Sequence, residues 1–379
     1  MTRKAAVLLA LALTAVAGVQ TPAAGAVVRK TAGRSAMTVA DRDLVALVDS
    51  VVANLKVGVP AGSPAGTWRG VSTCFRCDAG PALALAASSA ATGLNSRRTE
   101  AERIFDRIIT EEQQPNGSFG RSPGQADIDT MFFATELGMA AITMKPNLTP
   151  ERYARYGSAV AGAANFLVAN GNLSWYTNGN IVVGNALVMA LAARLTGVAK
   201  YATYYRTAMA FAVAPPQTKW AGFGFVTTLD GGRADGQDSR GYFTEAASDR
   251  VPGFDAEYTM LQVDMLSRIY LVNRDPSVLR MINMTTNILL PRVDKLTWRM
   301  DTSGGTRRPQ EGREFPFDTA ALSLLTNIGG RPSFQTYVTK QAVLIERYYQ
   351  EEDGDRARYS FGMNIATILM SQPGSSAMR

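Results

Sequence analysis

The sequence predicts an all-α protein, an (α/α)6 toroid of helical hairpins forming a single domain. Three observations predict it. Nearly every periodic apolar segment of the 379-residue chain repeats at helical spacing, and alternating runs long enough for a sheet are scarce. Helix starts and stops are marked by legible capping residues. Loops that set Gly or Asn beside an aromatic recur at intervals of roughly 43 to 76 residues, the length that two helices of about 15 residues and their loops occupy. Each interval is one hairpin, and six hairpins bury their apolar faces on one another when they close into a ring.

The elements follow in order. Met1–Ala26 has a basic start at Arg3 and Lys4, an apolar stretch from Ala5 to about Gly18, and the small residues Ala24-Gly25-Ala26. This is the pattern of a cleaved secretory signal, and its apolar stretch is too short to span a bilayer comfortably. It predicts a soluble protein exported to the periplasm or the cell exterior, with no membrane span. Residues 27–37 read as a flexible segment, 38–372 as the toroid and 373–379 as a flexible tail. Helices are predicted over 38–56, 80–93, 98–112 and 125–144. Thr149-Pro150-Glu151 supplies an N-cap, a first-position proline and a first-turn acid for a helix that stops at Gly171. Two more cover 180–195, apolar nearly all round as an inner helix requires, and 200–213. Asp255 can cap Ala256–Val272, Asp275-Pro276 starts a helix that ends before Pro291, and Asp318 can cap Thr319–Ile328. The last helices read as 333–350 and 362–371.

Composition narrows the chemistry. At 46% hydrophobic and 19% charged the chain is a folded one. Its net charge of +7 is spread too diffusely to be a nucleic-acid footprint. It contains no histidine. Ser-His-Asp and Cys-His catalysis and every histidine-ligated metal site are therefore excluded. Carboxylates, Tyr, Lys, Arg and Ser remain, and no cofactor or metal is predicted. The two cysteines, Cys74 and Cys77, fit a small disulfide in an oxidising compartment. A redox dithiol tuned by Arg76 is the alternative, but the βαβ context it needs is missing.

The loop pieces Gln113-Gln114-Pro115-Asn116-Gly117-Ser118-Phe119 and Trp175-Tyr176-Thr177-Asn178-Gly179-Asn180, with the hairpin spacing, resemble the α/α-toroid enzymes. These are glycoside hydrolases and polysaccharide lyases and, more distantly, the terpene-cyclase group, whose Q-x-x-x-G-x-[W/F] pattern the first piece fits. The resemblance implies a central cleft at one end of the ring and a polysaccharide or oligosaccharide partner. Asp127-Ile128-Asp129-Thr130 is similar to the D-x-D-D motif of the cyclases, with Thr130 where the last acid would stand.

Hydrolysis of a glycosidic bond needs two carboxyls, one protonated and one ionised. The long polar stretch from Thr227 to Phe254 offers Glu245 and Tyr242, and the helix after it opens with Asp255 and Glu257. Asp255 is an N-cap or a catalytic acid, and Glu257 a helix-dipole partner or a catalytic one. Glu245, paired with Asp129 or Asp255, is the predicted acid and base. Trp175, Tyr176, Trp220 and Trp298 lie at loop positions where aromatic rings can stack on sugar faces. Asn178 and Asn180 beside the first two make that loop the best sugar-binding candidate. Arg307 and Arg308 can recognise a carboxylate, which would make the substrate acidic. In a lyase they would neutralise a uronate while Tyr242 or Tyr176 removed its proton. A non-catalytic glycan-binding protein of the cell envelope would keep the aromatic groove alone.

Overall fold

A computed structural model describes residues 45–49, 75–120, 126–174, 178–214, 224–246, 252–306, 314–316, 319–351 and 365–372, with Asp43 and Ser375. All of them belong to one unit, Ala36–Arg379. The helices alternate between two kinds. Helices α1 (Phe75–Thr92), α3 (Ala126–Met144), α5 (Gly179–Thr196), α7 (Ala256–Asn273) and α9 (Thr319–Asn327), with the helical residues 365–370, are buried on nearly every side. In α3 every residue from Thr130 to Met144 is buried, and in α5 every residue from Gly179 to Ala192. Helices α2 (Asn95–Glu112), α4 (Pro150–Ala169), α6 (Ala199–Val213), α8 (Pro276–Leu289) and α10 (Gln335–Glu351) come between them. These bury one stripe where their side chains are described: on α4 it is Tyr156, Ala159, Val160, Ala163, Ala164 and Leu167.

Packing follows ring order. Helix α1 lies on α2 and α3, α3 on α4 and α5, α5 on α6 and α7, and α7 on α8 and α9. Helices α3 and α5 approach so closely that a side chain at Gly138 would meet Leu191 at 2.8 Å. Helix α5 is also the one described helix long and apolar enough to cross a membrane, with a mean hydropathy of 1.4; its place between α3, α4, α6 and α7 accounts for that composition.

The predicted caps form as read. Thr149 Oγ1 accepts from the Arg152 amide at 3.2 Å, Asp275 Oδ1 from Ser277 at 2.9 Å and Asp255 Oδ1 from Tyr258 at 3.1 Å. Asp255→Ala is expected to cost about 1 kcal/mol, the usual worth of a cap, read as a shift in the urea midpoint with unchanged slope. Asp318 lies outside the described residues. Helix α1 begins five residues before the predicted start, because Pro81 sits inside the helix and not at its first position. Two short antiparallel hairpins amend the all-α expectation. Strand β1 (Phe225–Leu229) pairs with β2 (Arg240–Phe243), and β3 (Arg299–Asp301) with β4 (Glu314–Pro316).

The turn between β1 and β2 holds Asp230, Arg233, Asp235 and Asp238, and it is a strap on the outer wall. Arg280 of α8 donates to Asp230 at 3.1 Å, and Asn283 and Asn287 donate to backbone carbonyls of the turn. Gln237 reaches the carbonyl of Gly329, just past the C-terminal end of α9. Asp235 pairs with Arg233 of the same turn at 2.6 Å.

Candidate active site

Each inner helix is followed by an outer one that returns antiparallel, so the inner helices share a direction and their N-termini one end. Side chains confirm it. Arg76, in the first turn of α1, pairs with Asp129, in the first turn of α3, at 3.0 Å. The N-termini of α5 and α7 are joined through Glu245. We call this end the mouth. Among the described residues it carries Asp127 and Asp129 on α3, Asn178 and Asn180 on α5, and Asp255 and Glu257 on α7.

Glu245 is fully buried. Its Oε1 accepts from the Asn180 backbone N–H at 2.9 Å and from Gln262 Nε2 at 2.8 Å, while Oε2 accepts from Asn178 Nδ2 at 3.0 Å. Its backbone bonds Gly253 in both directions. A carboxylate at a helix N-terminus satisfies amides that have no partner in the helix and meets the positive end of the dipole. Glu245 is thus the clamp between the loop after β2, the start of α5 and Gln262 of α7. Among the described residues, three donors hold this wholly buried carboxylate. Asn178 and Asn180 share in this clamp, Asn178 also donating to the Ala246 carbonyl at 3.2 Å. Asp255, nearly as buried, caps α7.

Asp129 is different. It is half-buried and keeps a side-chain surface at the mouth. Burial pushes its carboxyl above the ordinary range; the Arg76 guanidinium opposes this and the neighbouring Asp127 adds to it. Asp127 accepts from the Ile128 amide and from Asn172 Nδ2. Glu257 sits half-exposed in the first turn of α7. Tyr242 packs edge-on against Phe254 with ring centroids 5.2 Å apart, and burial raises its phenol.

The aromatic candidates divide. Trp298 packs edge-on on Tyr337 at 5.4 Å, in the first turn of α10, which follows the C-terminal end of α9. Phe119, of the Gln/Asn-Gly-aromatic loop, is fully buried against Phe133 at 4.4 Å. That loop is pinned to α4 by Gln113 Nε2 on the Ala159 carbonyl at 3.0 Å. Gly117 there has φ +91°, and a Cβ would lie 2.3 Å from the Gly162 carbonyl, so only glycine fits. Trp175, Tyr176, Trp220, Arg307, Arg308 and Cys74 lie outside the described residues, as does the side chain of Cys77, and with them the disulfide and the Arg pair.

Below the mouth the structure holds a cluster that no motif announced. Arg268 of α7 is almost wholly buried and pairs with Glu136 of α3 at 2.9 Å and with Asp264 of α7 at 2.8 Å. Its Nε donates to Thr367, which in turn donates to Asp264. Helices α3 and α7 are separated in ring order by α5, so this bridge crosses the interior of the ring. Glu136 lies seven residues after Asp129, and Asp264 seven after Glu257. Seven residues are two turns less about 20°, a rise of about 10.5 Å. The faces that meet at Arg268 are therefore the faces that carry Asp129 and Glu257 at the mouth. The architecture is now decided.

The fold is that of the α/α toroids. It is similar to a family 76 glycoside hydrolase from a bovine Bacteroides thetaiotaomicron strain, with a TM-score of 0.51 and 10% identity over 88% of this chain and 77% of that one. Further solved structures of related shape are a D-mannose isomerase (TM-score 0.49, 9% identity, 79% of this chain and 84% of that one) and an unsaturated glucuronyl hydrolase specific for heparin (0.49, 11%, 87% and 95%). No protein-family model and no curated protein matches the chain.

Proposed function

We propose that the protein is an exported carbohydrate-active enzyme that hydrolyses glycosidic bonds with the carboxyl pair Asp129 and Glu257. One observation carries the reading: the two acids occupy first turns of inner helices whose equivalent faces, two turns deeper, grip a single guanidinium. The fold it shares with a family 76 glycoside hydrolase supports the substrate class. Asp129, whose carboxyl burial keeps protonated to higher pH, donates the proton to the glycosidic oxygen as the bond to the anomeric carbon breaks. Glu257 either takes the proton from the water that attacks that carbon or attacks it directly. Arg76 orients the acid from the α1 side. Export rests on the signal pattern of Met1–Ala26.

The test is incubation of the purified chain with neutral and acidic polysaccharides, following reducing ends and the ultraviolet absorbance of unsaturated uronates. New reducing ends without absorbance are expected. Absorbance rising with reducing ends makes the protein a lyase, and retention on a glycan without cleavage makes it a binding protein. Either result overturns the reading.

A further inference from the structure

The Arg268 cluster is buried below the mouth and joins the two helices that carry the proposed pair. A surface ion pair contributes little because water competes with it. This one is buried, and each partner is fixed by another: Arg268 by Thr367, Asp264 by Thr367, Glu136 by Arg268. The guanidinium is rigid and planar, and with Nε held by Thr367 it fixes the distance to Glu136 more tightly than a lysine can. Helices are stiff over two turns, so spacing set at residues 136 and 264 is transmitted to residues 129 and 257.

We propose that Arg268 is the positioning residue of the site, its bond to Glu136 across the interior, braced by Asp264 one turn away on its own helix, setting the separation of Asp129 and Glu257 two turns above. This rests on the assignment of those two acids as facing partners. It adds that their separation is imposed from below and not by the mouth loops.

The experiment is a carbon-13 carboxyl NMR titration of Asp129 in the full chain, which reads its distance from Glu257 with no substrate present. Two facing carboxyls raise one another's pKa. Glu257→Gln is therefore expected to lower the Asp129 titration by about half a unit or more. If it does not, the acids do not face one another, and the pair and its pin fall together. Arg268→Lys keeps the charge and loses the fork, so it is expected to move the Asp129 titration by a comparable amount. If Glu257→Gln moves Asp129 and Arg268→Lys does not, the pair stands and the pin is overturned. Should Arg268→Lys fail to fold, the neutral variant Glu136→Gln/Asp264→Asn/Arg268→Met preserves volume without the grip and is read in the same way. On a cleaved glycan, Arg268→Lys is expected to lower kcat by about 10- to 100-fold with KM unchanged, since misplacement of a reacting group by about 1 Å costs that much. A loss of stability with kcat and the Asp129 titration both at their parental values marks the cluster as structural only and overturns the proposal.

Discussion

As the proposed acid and base, Asp129→Asn and Glu257→Gln are each expected to lower kcat by about 1,000-fold, the range that a positioned acid or base supplies. The double variant is expected to fall little further, since either partner alone leaves the reaction unassisted at one end. The two differ in a way that assigns their roles. A proton donor matters in proportion to the basicity of the leaving oxygen, so Asp129→Asn loses far less on an aryl glycoside whose phenol leaves unaided. Glu257→Gln loses its activity on both substrates. Steady-state kinetics on a natural glycan and a nitrophenyl glycoside read this directly. The opposite pattern exchanges the roles, and full activity in both variants removes the pair. Arg76→Met adds a graded check. Without the guanidinium that opposes burial, the Asp129 carboxyl rises further, and the alkaline limb of the kcat profile moves to higher pH.

The helical body is legible because its signals are local. Thr149, Asp255 and Asp275 cap the helices that they precede, and a proline or glycine marks most boundaries. Where a local signal has two readings, the sequence misleads. Pro81 is a common first-position residue, yet it lies inside α1. The run Phe225–Leu229 is too short to announce a strand, and its hairpin forms because α8 supplies Arg280, Asn283 and Asn287 to hold the turn. The site divides on the same line. Asp129 is readable in sequence as a first-turn acid. Glu245 looks free in sequence because its partners, Asn178, Asn180 and Gln262, belong to two other helices. Glu257 is masked by its ordinary role as a first-turn acid. The seven-residue intervals from Asp129 to Glu136 and from Glu257 to Asp264 were the available signal. They acquire meaning only once Arg268, 132 positions from Glu136, closes the bridge.

The same cluster makes stability depend on pH in an unusual direction. Burial pushes the Glu136 carboxyl from its ordinary 4.5 to about 7, Arg268 opposes the rise, and Asp264 adds to it. Asp264 is itself raised by burial. The unfolded chain releases the Glu136 proton near pH 4.5 and the folded chain holds it to about 7, so between these values folding binds a proton. Stability from this group is fully present below about pH 4.5, falls as pH rises through the window, and levels off above about 7. At about 1.4 kcal/mol per unit the fall amounts to roughly 3 kcal/mol. Most paired carboxylates give the reverse slope, because their folded pKa is depressed. Glu136→Gln, an isostere of the protonated acid, removes the contribution. Urea unfolding at pH 5 and pH 8 is expected to find parent and variant equal at the lower pH and the variant more stable at the higher one. A parent that is the more stable at pH 8 would mean that attraction to Arg268 exceeds the cost of burying the charge, and that Glu136 is ionised in its pair throughout.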